Sequence, residues 1–409
     1  MRFQEESMQE LILIAHVPTP SVNEGFLPAA RALGLPVVLL TDHAEAHRQH
    51  FSQPGLNAYP NEIQPCDVFN PVAVIDAVSR RKRRPAAIFS NSDHLQTSTA
   101  IAADYFGLPG KDWRVCYRAK NKAEMRAYLQ SQSIDTVWHA QAWDQASLAQ
   151  VAGAVPFPCI LKPREGVASQ QVLMAHDRAE LEAHCQTIWK GRPGQVLLIE
   201  EFLDGPLYTL ETLGSGRQIH VLGGFRVTLS PPPHFIELEA RWGTGLGCDE
   251  ERAVLEQITR FGVGFGACHT EFVLTPAGPR LIEINYRSIG DHRDFLMQEA
   301  LGMSYFETVL RLHLGESLAL AQGSSKAAAI RYFVAQQAGK VVKAPAPFFR
   351  SELETLLSYV PLRSAGETVS LSRSNKDYLG VLRGVGRSAA AVEEAMHRAS
   401  ADLHWELQP

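Results

Sequence analysis

The sequence predicts a multidomain protein that mixes the α/β and α+β classes. Three observations predict it. The 409 residues exceed what one ordinary hydrophobic core encloses, so about two to four packed subdomains are expected. Strand and helix signals alternate in the N-terminal part, as in a small parallel α/β unit. From Val196 to Arg287 strand-like runs dominate, as in an α+β unit.

Leu11 to Ala15 reads as a buried strand, followed by a Pro-rich turn and a helical pattern from Ala29 to Leu33. Val37 to Leu40 and Ala86 to Ser90 read as further strands, the latter leading into a helix from Thr97 to Phe106. The first strand runs into Pro18, Thr19, Pro20 and Ser21, so the G-x-G-x-x-G turn of dinucleotide-binding domains is absent. The breakers Gly107, Pro109 and Gly110 mark a boundary near residue 115. Beyond it, Asn121 to Gln130 reads as a helix and Cys159 to Lys162 as the end of a strand. Helical patterns recur at Glu251 to Phe261 and Phe295 to Leu314. Ala327 to Val334 and Tyr378 to Gly384 read as strands, and Ala389 to Leu403 as a closing helix. The expected domains are 1–115, 116–196, 197–320 and 321–409.

Composition excludes several function classes. A chain that is 45% hydrophobic and 20% charged, with net charge −5, has no general attraction to nucleic acid or anionic membrane, so an anionic ligand must be held locally. The six cysteines lack CxxC spacing, which predicts free thiols rather than a disulfide framework. Acidic residues stand ahead of the short run Leu11 to Ile14 where a signal peptide would be basic, and no segment reaches membrane-spanning length; a cytoplasmic protein is expected.

Thr270 to Leu274 and Leu281 to Tyr286 flank Thr275, Pro276, Ala277, Gly278 and Pro279, which predicts an antiparallel hairpin. A turn centred on Ala277 places Glu271 opposite Glu283. Like charges facing each other destabilise a sheet, so the pair needs a cation, a shared proton or solvent. Alternation puts Glu283, Asn285 and Arg287 on one face and Ile282, Ile284 and Tyr286 on the other. Two carboxylates and an amide oxygen are the hard ligands that Mg²⁺ takes, with Mn²⁺ an alternative. A solvent-facing strand would show the same alternation.

Other segments carry weaker signals. Lys162 ends an apolar strand just before the loop Arg164 to Ser169, whose backbone N–H groups could wrap phosphates; a surface turn explains the same pattern. Val196 to Ile199 runs into Glu200, Glu201, Phe202 and Leu203, a segment whose backbone could pair with adenine or simply form an edge strand. Lys122 begins an amphipathic helix, and no Walker-type phosphate loop is present. His43, His47 and His50 share helical spacing but have no carboxylate linked to them by that spacing, so a solvated face is favoured. Arg81 to Arg84 reads as a solvated helix end, and Cys268 and His269 as packed residues. Glu237 follows a Pro-rich turn and could hold an amine, while Ser92 and Asp93 lie where α/β domains place ligand-contacting loops.

Taken in order, Lys122, Lys162 with its loop, Glu200 to Leu203, Glu211, Glu271 and the run Glu283-x-Asn285-x-Arg287 resemble the ATP-grasp superfamily over roughly residues 10 to 320. The resemblance implies an ATP-grasp fold behind an N-terminal Rossmann-like pre-ATP-grasp domain, with a C-terminal extension. It implies that Lys122 and Lys162 contact ATP phosphates, with Ser169 on the covering loop. Glu200, Glu201, Phe202 and Leu203 would hold adenine, with Glu211 also on the nucleotide side. Glu271, Glu283 and Asn285 would hold Mg²⁺, and Arg287 and Lys162 would act on the transferred phosphoryl group. Leu207 stands where many members have an acidic ribose contact, and Gln170 and Gln171 replace the usual small residues of the loop. The implied activity is an ATP-dependent ligase joining small carboxylate and amine substrates through an acyl phosphate. A carboxylase, a purine-pathway ligase and a non-catalytic ATP-binding module are the alternatives, and a homodimer is expected.

Overall fold

The computed structural model describes residues 9–53, 60–243, 245–318, 320 and 326–409; residues 1–8, on which part of the signal-peptide reading rests, lie outside them. Near the N-terminus, four parallel strands run in the order Glu62–Pro65, Val37–Thr41, Glu10–Ile14, Pro85–Phe89. Helices on both faces bury alternate residues in two cores. Leu11, Leu13, Val37 and Leu39 enter one, and Ile12, Ile14, Val38 and Leu40 the other. Glu62–Pro65 has no apolar run because it is an edge strand, and the sequence pattern did not reveal it.

A second, antiparallel sheet takes the order His139–Ala142, Leu197–Glu201, Cys159–Pro163, Leu173–Ala175. The helix Arg178–Gly191 packs on it through Leu181, Cys185 and Ile188. The strand that leads into the expected adenine segment therefore belongs to this small sheet, which extends past residue 196.

The large sheet starts with the hairpin Gly278–Asn285 and Phe265–Thr275. It continues through Leu207–Ser215, Phe225–Leu229 and Glu237–Trp242. Ala327–Val334, Tyr378–Gly386, Thr355–Pro361 and Phe348–Glu352 complete the path. The residues after 326 thus prolong the same sheet, with Ala328 to Trp242 among the paired positions that join them to it. Helices Trp113–Lys120, Lys122–Ser131 and Cys248–Phe261 cover the hairpin end, where Cys116, Met125, Ile258 and Phe261 meet Phe272, Ile284 and Tyr286. Trp113–Lys120 is a helix that apolar periodicity did not announce; Asp112 caps it by accepting a bond from the Arg114 backbone N–H. The expected helix over Phe295 to Leu314 is two, Arg293–Leu301 and Tyr305–His313, because Gly302 turns left-handed at φ +62°. Among the described residues no helix is long and apolar enough to cross a membrane.

Candidate active site

The hairpin forms as its turn residues predict, and Glu271 pairs in register with Glu283. One detail differs. The register shifts next to this pair, so that Phe272 faces Leu281 and Ile282 is the extra residue of a bulge. Ile282, expected on the core face with Ile284 and Tyr286, instead joins Glu283, Asn285 and Arg287 on the wall of a cavity of about 960 Å³.

Segments that follow two of the parallel strands, together with the small sheet and the large sheet, contribute to this cavity. Lys122, Lys162, Ser169, Glu200, Glu201, Phe202, Leu203, Glu271, Glu283, Asn285 and Arg287 lie on its wall. Glu211 does not. It is buried behind His269 and accepts a 2.8 Å hydrogen bond from that ring, so it reaches the cavity only through the histidine.

His269 is paired with Glu211 on one side and Asn285 on the other. Its Nε2 lies 3.1 Å from Glu271, and its Nδ1 2.8 Å from Glu211. Burial disfavours a charged ring here, but the two carboxylates outweigh it and lift His269 to about 9. Against the same burial penalty, the His269 bond holds Glu271 down at about 2. Glu283 receives its positive charge from Lys122, whose Nζ sits 2.8 Å from Oε1. Burial opposes the ammonium, yet Glu283 raises its pKa. Two protein cations therefore balance the facing carboxylates. The pair's oxygens and the Asn285 amide suit a hard divalent cation, and Lys122 occupies the position such a cation would compete for.

The Lys122 ammonium also donates to Gly166 O, at 2.8 Å, so the helix start holds the loop after Lys162. Ala168, Ser169 and Gln171 in that loop have positive φ, which turns successive peptide groups into an open curve. Lys162 Nζ lies 2.5 Å from Glu200, whose other oxygen receives a 2.5 Å bond from Arg126 Nε. All three are buried. Burial lowers the Lys162 pKa against the pull of Glu200, and the Arg126 and Lys162 charges overcome burial to hold Glu200 at about 2. The Glu200 side chain is thus a charge partner, and any contact to a base in this segment falls to the backbone of Glu201 to Leu203. That backbone is packed close: Phe202 N–H donates to Pro158 O, and a Cβ on Gly205 would lie 2.4 Å from Leu274 O.

At the opposite end, Arg293 Nη2 lies 2.6 Å from Glu237 Oε2, both buried. Burial raises the Glu237 pKa, with Arg293 opposing it. Among the described residues, Arg293 Nε and Nη1 have no hydrogen-bond partner. Asn375, from the last third of the chain, accepts from the Glu237 backbone N–H and donates its own N–H to Ala168 O. Tyr378 donates to Glu237 O. Asp93 of the parallel domain is held below the usual carboxylate range by Lys120, 2.5 Å away, and by Arg287, 3.8 Å away, despite burial.

Sequence reasoning passed over Arg126, Arg293, Asn375 and the bridging role of His269. Only His269 left a trace, as a polar residue two positions before Glu271 on the same strand face.

No family model matches the chain. It is 24% identical over 420 residues to an uncharacterized protein, y4rH, of Sinorhizobium fredii (strain NBRC 101917 / NGR234), covering 99% of this chain and 84% of the relative. It is 26% identical over 324 residues to carnosine synthase 1 of Gallus gallus, covering 72% of this chain and 34% of that protein. The chain therefore spans about a third of the length of that synthase. The crystal structure of an L-amino acid ligase from Bacillus licheniformis superposes with a TM-score of 0.77 at 19% identity, covering 98% of this chain and 100% of the other.

Proposed function

We propose that this chain, which has the ATP-grasp fold, is an ATP-dependent carboxylate–amine ligase that joins small amino or carboxylic acids. The observation that carries the reading is the Glu271–Glu283 pair, facing in register beside Asn285 on the same cavity wall as Lys122 and Lys162. The likeness to the amino acid ligase fold and to part of carnosine synthase 1 supports it. Ligand pockets run to roughly 1,000 Å³, so a cavity of about 960 Å³ has room for a nucleotide and small substrates together.

Glu271, Glu283 and Asn285 would hold Mg²⁺, or Mn²⁺ on the same oxygens, and the ion supplies neutralising charge to phosphate oxygens when bound. Lys122 leaves Glu283 for the phosphates, while Lys162 stays on Glu200 with its remaining N–H bonds toward the cavity. The backbone of Glu201 to Leu203 holds adenine, and the loop from Gly166 to Ser169 covers the phosphates. The unpartnered Arg293 nitrogens receive a substrate carboxylate. Leu207, also on the wall, offers the ribose only apolar contact.

In the first step a substrate carboxylate oxygen forms a bond to the γ-phosphorus as the bond to the ADP oxygen breaks, giving an acyl phosphate and ADP. In the second an amine forms a bond to the acyl carbon, phosphate leaves, and the amine loses a proton. Arg287 and Lys162 stabilise the charge that gathers on the transferred group, and no covalent protein nucleophile is needed.

A phosphate-release screen of amino and carboxylic acid pairs with Mg-ATP tests this, with Glu283→Gln as the blank. Phosphate release that requires both an acid and an amine is expected. Release driven by bicarbonate alone would replace the ligase with a carboxylase, and tight ATP binding without turnover of any pair would leave a binding module.

A further inference from the structure

We propose a second cation site, for a divalent transition metal such as Zn²⁺, built from His16, Asp42 and His43, of which His16 lines the cavity. It is separate from the oxygen-only set on the hairpin and does not depend on the ligase reading.

The topology makes the juxtaposition. Glu10–Ile14 and Val37–Thr41 are parallel neighbours, so the residues just past their C-terminal ends are brought side by side. His16 follows the first strand, and Asp42 and His43 follow the second. This is the edge of a parallel sheet at which α/β domains collect their ligands. His16 also lies on the cavity wall.

One ligand atom from each of the three residues lies within 4.8 Å of the others. His16 Nδ1 is 2.9 Å from both Asp42 oxygens, and His43 Nδ1 is 3.2 Å from Oδ1. The two rings meet edge to face, 4.3 Å apart at their centroids. Each imidazole turns the same nitrogen toward one carboxylate. A metal that displaces the protons between them would gain two nitrogens and an oxygen with side-chain adjustment alone.

Buried polar groups behind the trio hold its two loops together. Thr41 is fully buried; its hydroxyl donates to His16 O at 2.9 Å and accepts from the His43 backbone N–H at 3.0 Å. His47, also fully buried, places Nε2 3.2 Å from the same His16 oxygen. Such outer bonds fix the orientation of ligating side chains before a metal arrives. They also show why the spacing of His43, His47 and His50 pointed elsewhere: His47 faces inward as a support, and the other imidazole comes from His16, 26 residues before Asp42.

The donor set decides the metal class. Two imidazole nitrogens and a carboxylate suit zinc and its cobalt and nickel analogues, whereas the carboxylate and amide oxygens of the hairpin suit magnesium. Three protein ligands leave a coordination position for water or for a donor group on a molecule in the cavity.

The test is a titration of metal-stripped protein with Co²⁺ in the presence of excess Mg²⁺, followed by the visible cobalt spectrum and its displacement by Zn²⁺. Wild type should bind one cobalt with a four- or five-coordinate spectrum. Asp42→Asn and His43→Ala should each weaken binding at least about tenfold, while a protein carrying Glu271→Gln and Glu283→Gln should bind cobalt as wild type does. Thermal melts of each variant identify a loss that comes from unfolding, and the doubly substituted protein supplies an independent arm. Absence of cobalt binding to folded wild type at micromolar concentration, survival of binding in both site variants, or its loss in the hairpin variant instead would overturn the proposal.

Discussion

Replacing Glu200 by Gln removes one negative charge from between two buried cations and changes almost nothing in shape. Arg126 and Lys162 each lie 2.5 Å from the carboxylate, and the side chains of all three are at most 7% exposed. Breaking a buried pair by removing one partner costs about 3–5 kcal/mol, because the remaining charge stays desolvated. Titration leads to a similar magnitude. Glu200 moves from 4.5 to about 2 on folding, an interval equivalent to about 3 kcal/mol. Its folded value is depressed, so this stability is present above 4.5 and is lost as pH falls toward 2. Urea unfolding at neutral pH, followed by tryptophan fluorescence, should therefore show Glu200→Gln destabilised by about 3 kcal/mol. Trp138 and Trp189 pack on the core of the same small sheet and report on it. Glu182→Gln, which removes the partner of Arg178 in a solvent-facing pair on the neighbouring helix, should cost less than about 1 kcal/mol. A Glu200→Gln shift no larger than that of Glu182→Gln would refute the argument that the Lys162 ammonium is held by a buried charge network.

Four further outcomes are expected. His269 is raised from 6.5 to about 9, so the stability it supplies is complete below 6.5 and disappears as pH rises through 9; the melting-temperature gap between ligand-free wild type and His269→Gln should narrow across that window. Gly205 has φ +152° and no space for a Cβ beside Leu274 O, so Gly205→Ala should lose about 1–3 kcal/mol of stability and bind a fluorescent ATP analogue more weakly. Asn375→Ala removes the acceptor for the Glu237 N–H, a buried bond whose loss is worth about 1–3 kcal/mol; steady-state assays should show a raised KM for an amino acid substrate with the KM for ATP unchanged. Moving Lys122 onto phosphate leaves Glu283 facing Glu271, so Mg²⁺ should tighten ATP binding by about tenfold or more, and calorimetry on Glu283→Gln should find that coupling reduced.

The hairpin was legible because everything that sets its register is local: the turn residues, the two apolar runs and the alternation between them. Even there, the bulge that brings Ile282 onto the cavity wall left no mark in the alternation, since Ile suits either face. The parallel sheet was legible from its apolar runs, except for Glu62–Pro65, whose exposed edge carries no such run. Long-range ion-pair and hydrogen-bond partners were not legible. Arg126 and Glu200 are 74 positions apart, His269 and Glu211 are 58 apart, and Glu237 and Asn375 are 138 apart. Each meeting depends on which strands become neighbours, and no periodicity within one segment encodes that. The same applies to the strands after residue 326, which read as an appendage and in fact continue the large sheet and bring Tyr332 and Tyr378 to the cavity wall.

The two lysines taken together for phosphate contact stand in different electrostatic positions, and this separates their work. Lys162 is tied to a fully buried carboxylate that itself holds Arg126, and burial lowers its pKa. Its partner has no reason to leave, so an arriving phosphate adds a second anion to an ammonium already in place. Lys122 instead pairs with Glu283, a carboxylate with a fifth of its side chain exposed on the cavity wall, and has a raised pKa. That pair can be exchanged, the ammonium for phosphate and the carboxylate for a divalent cation, without leaving either charge alone. A chain of net charge −5 does not draw in a polyanion through its overall field. On the site assignment proposed above, it would receive one by such exchange, in which the energy of desolvating Lys122 and Glu283 has already been met during folding.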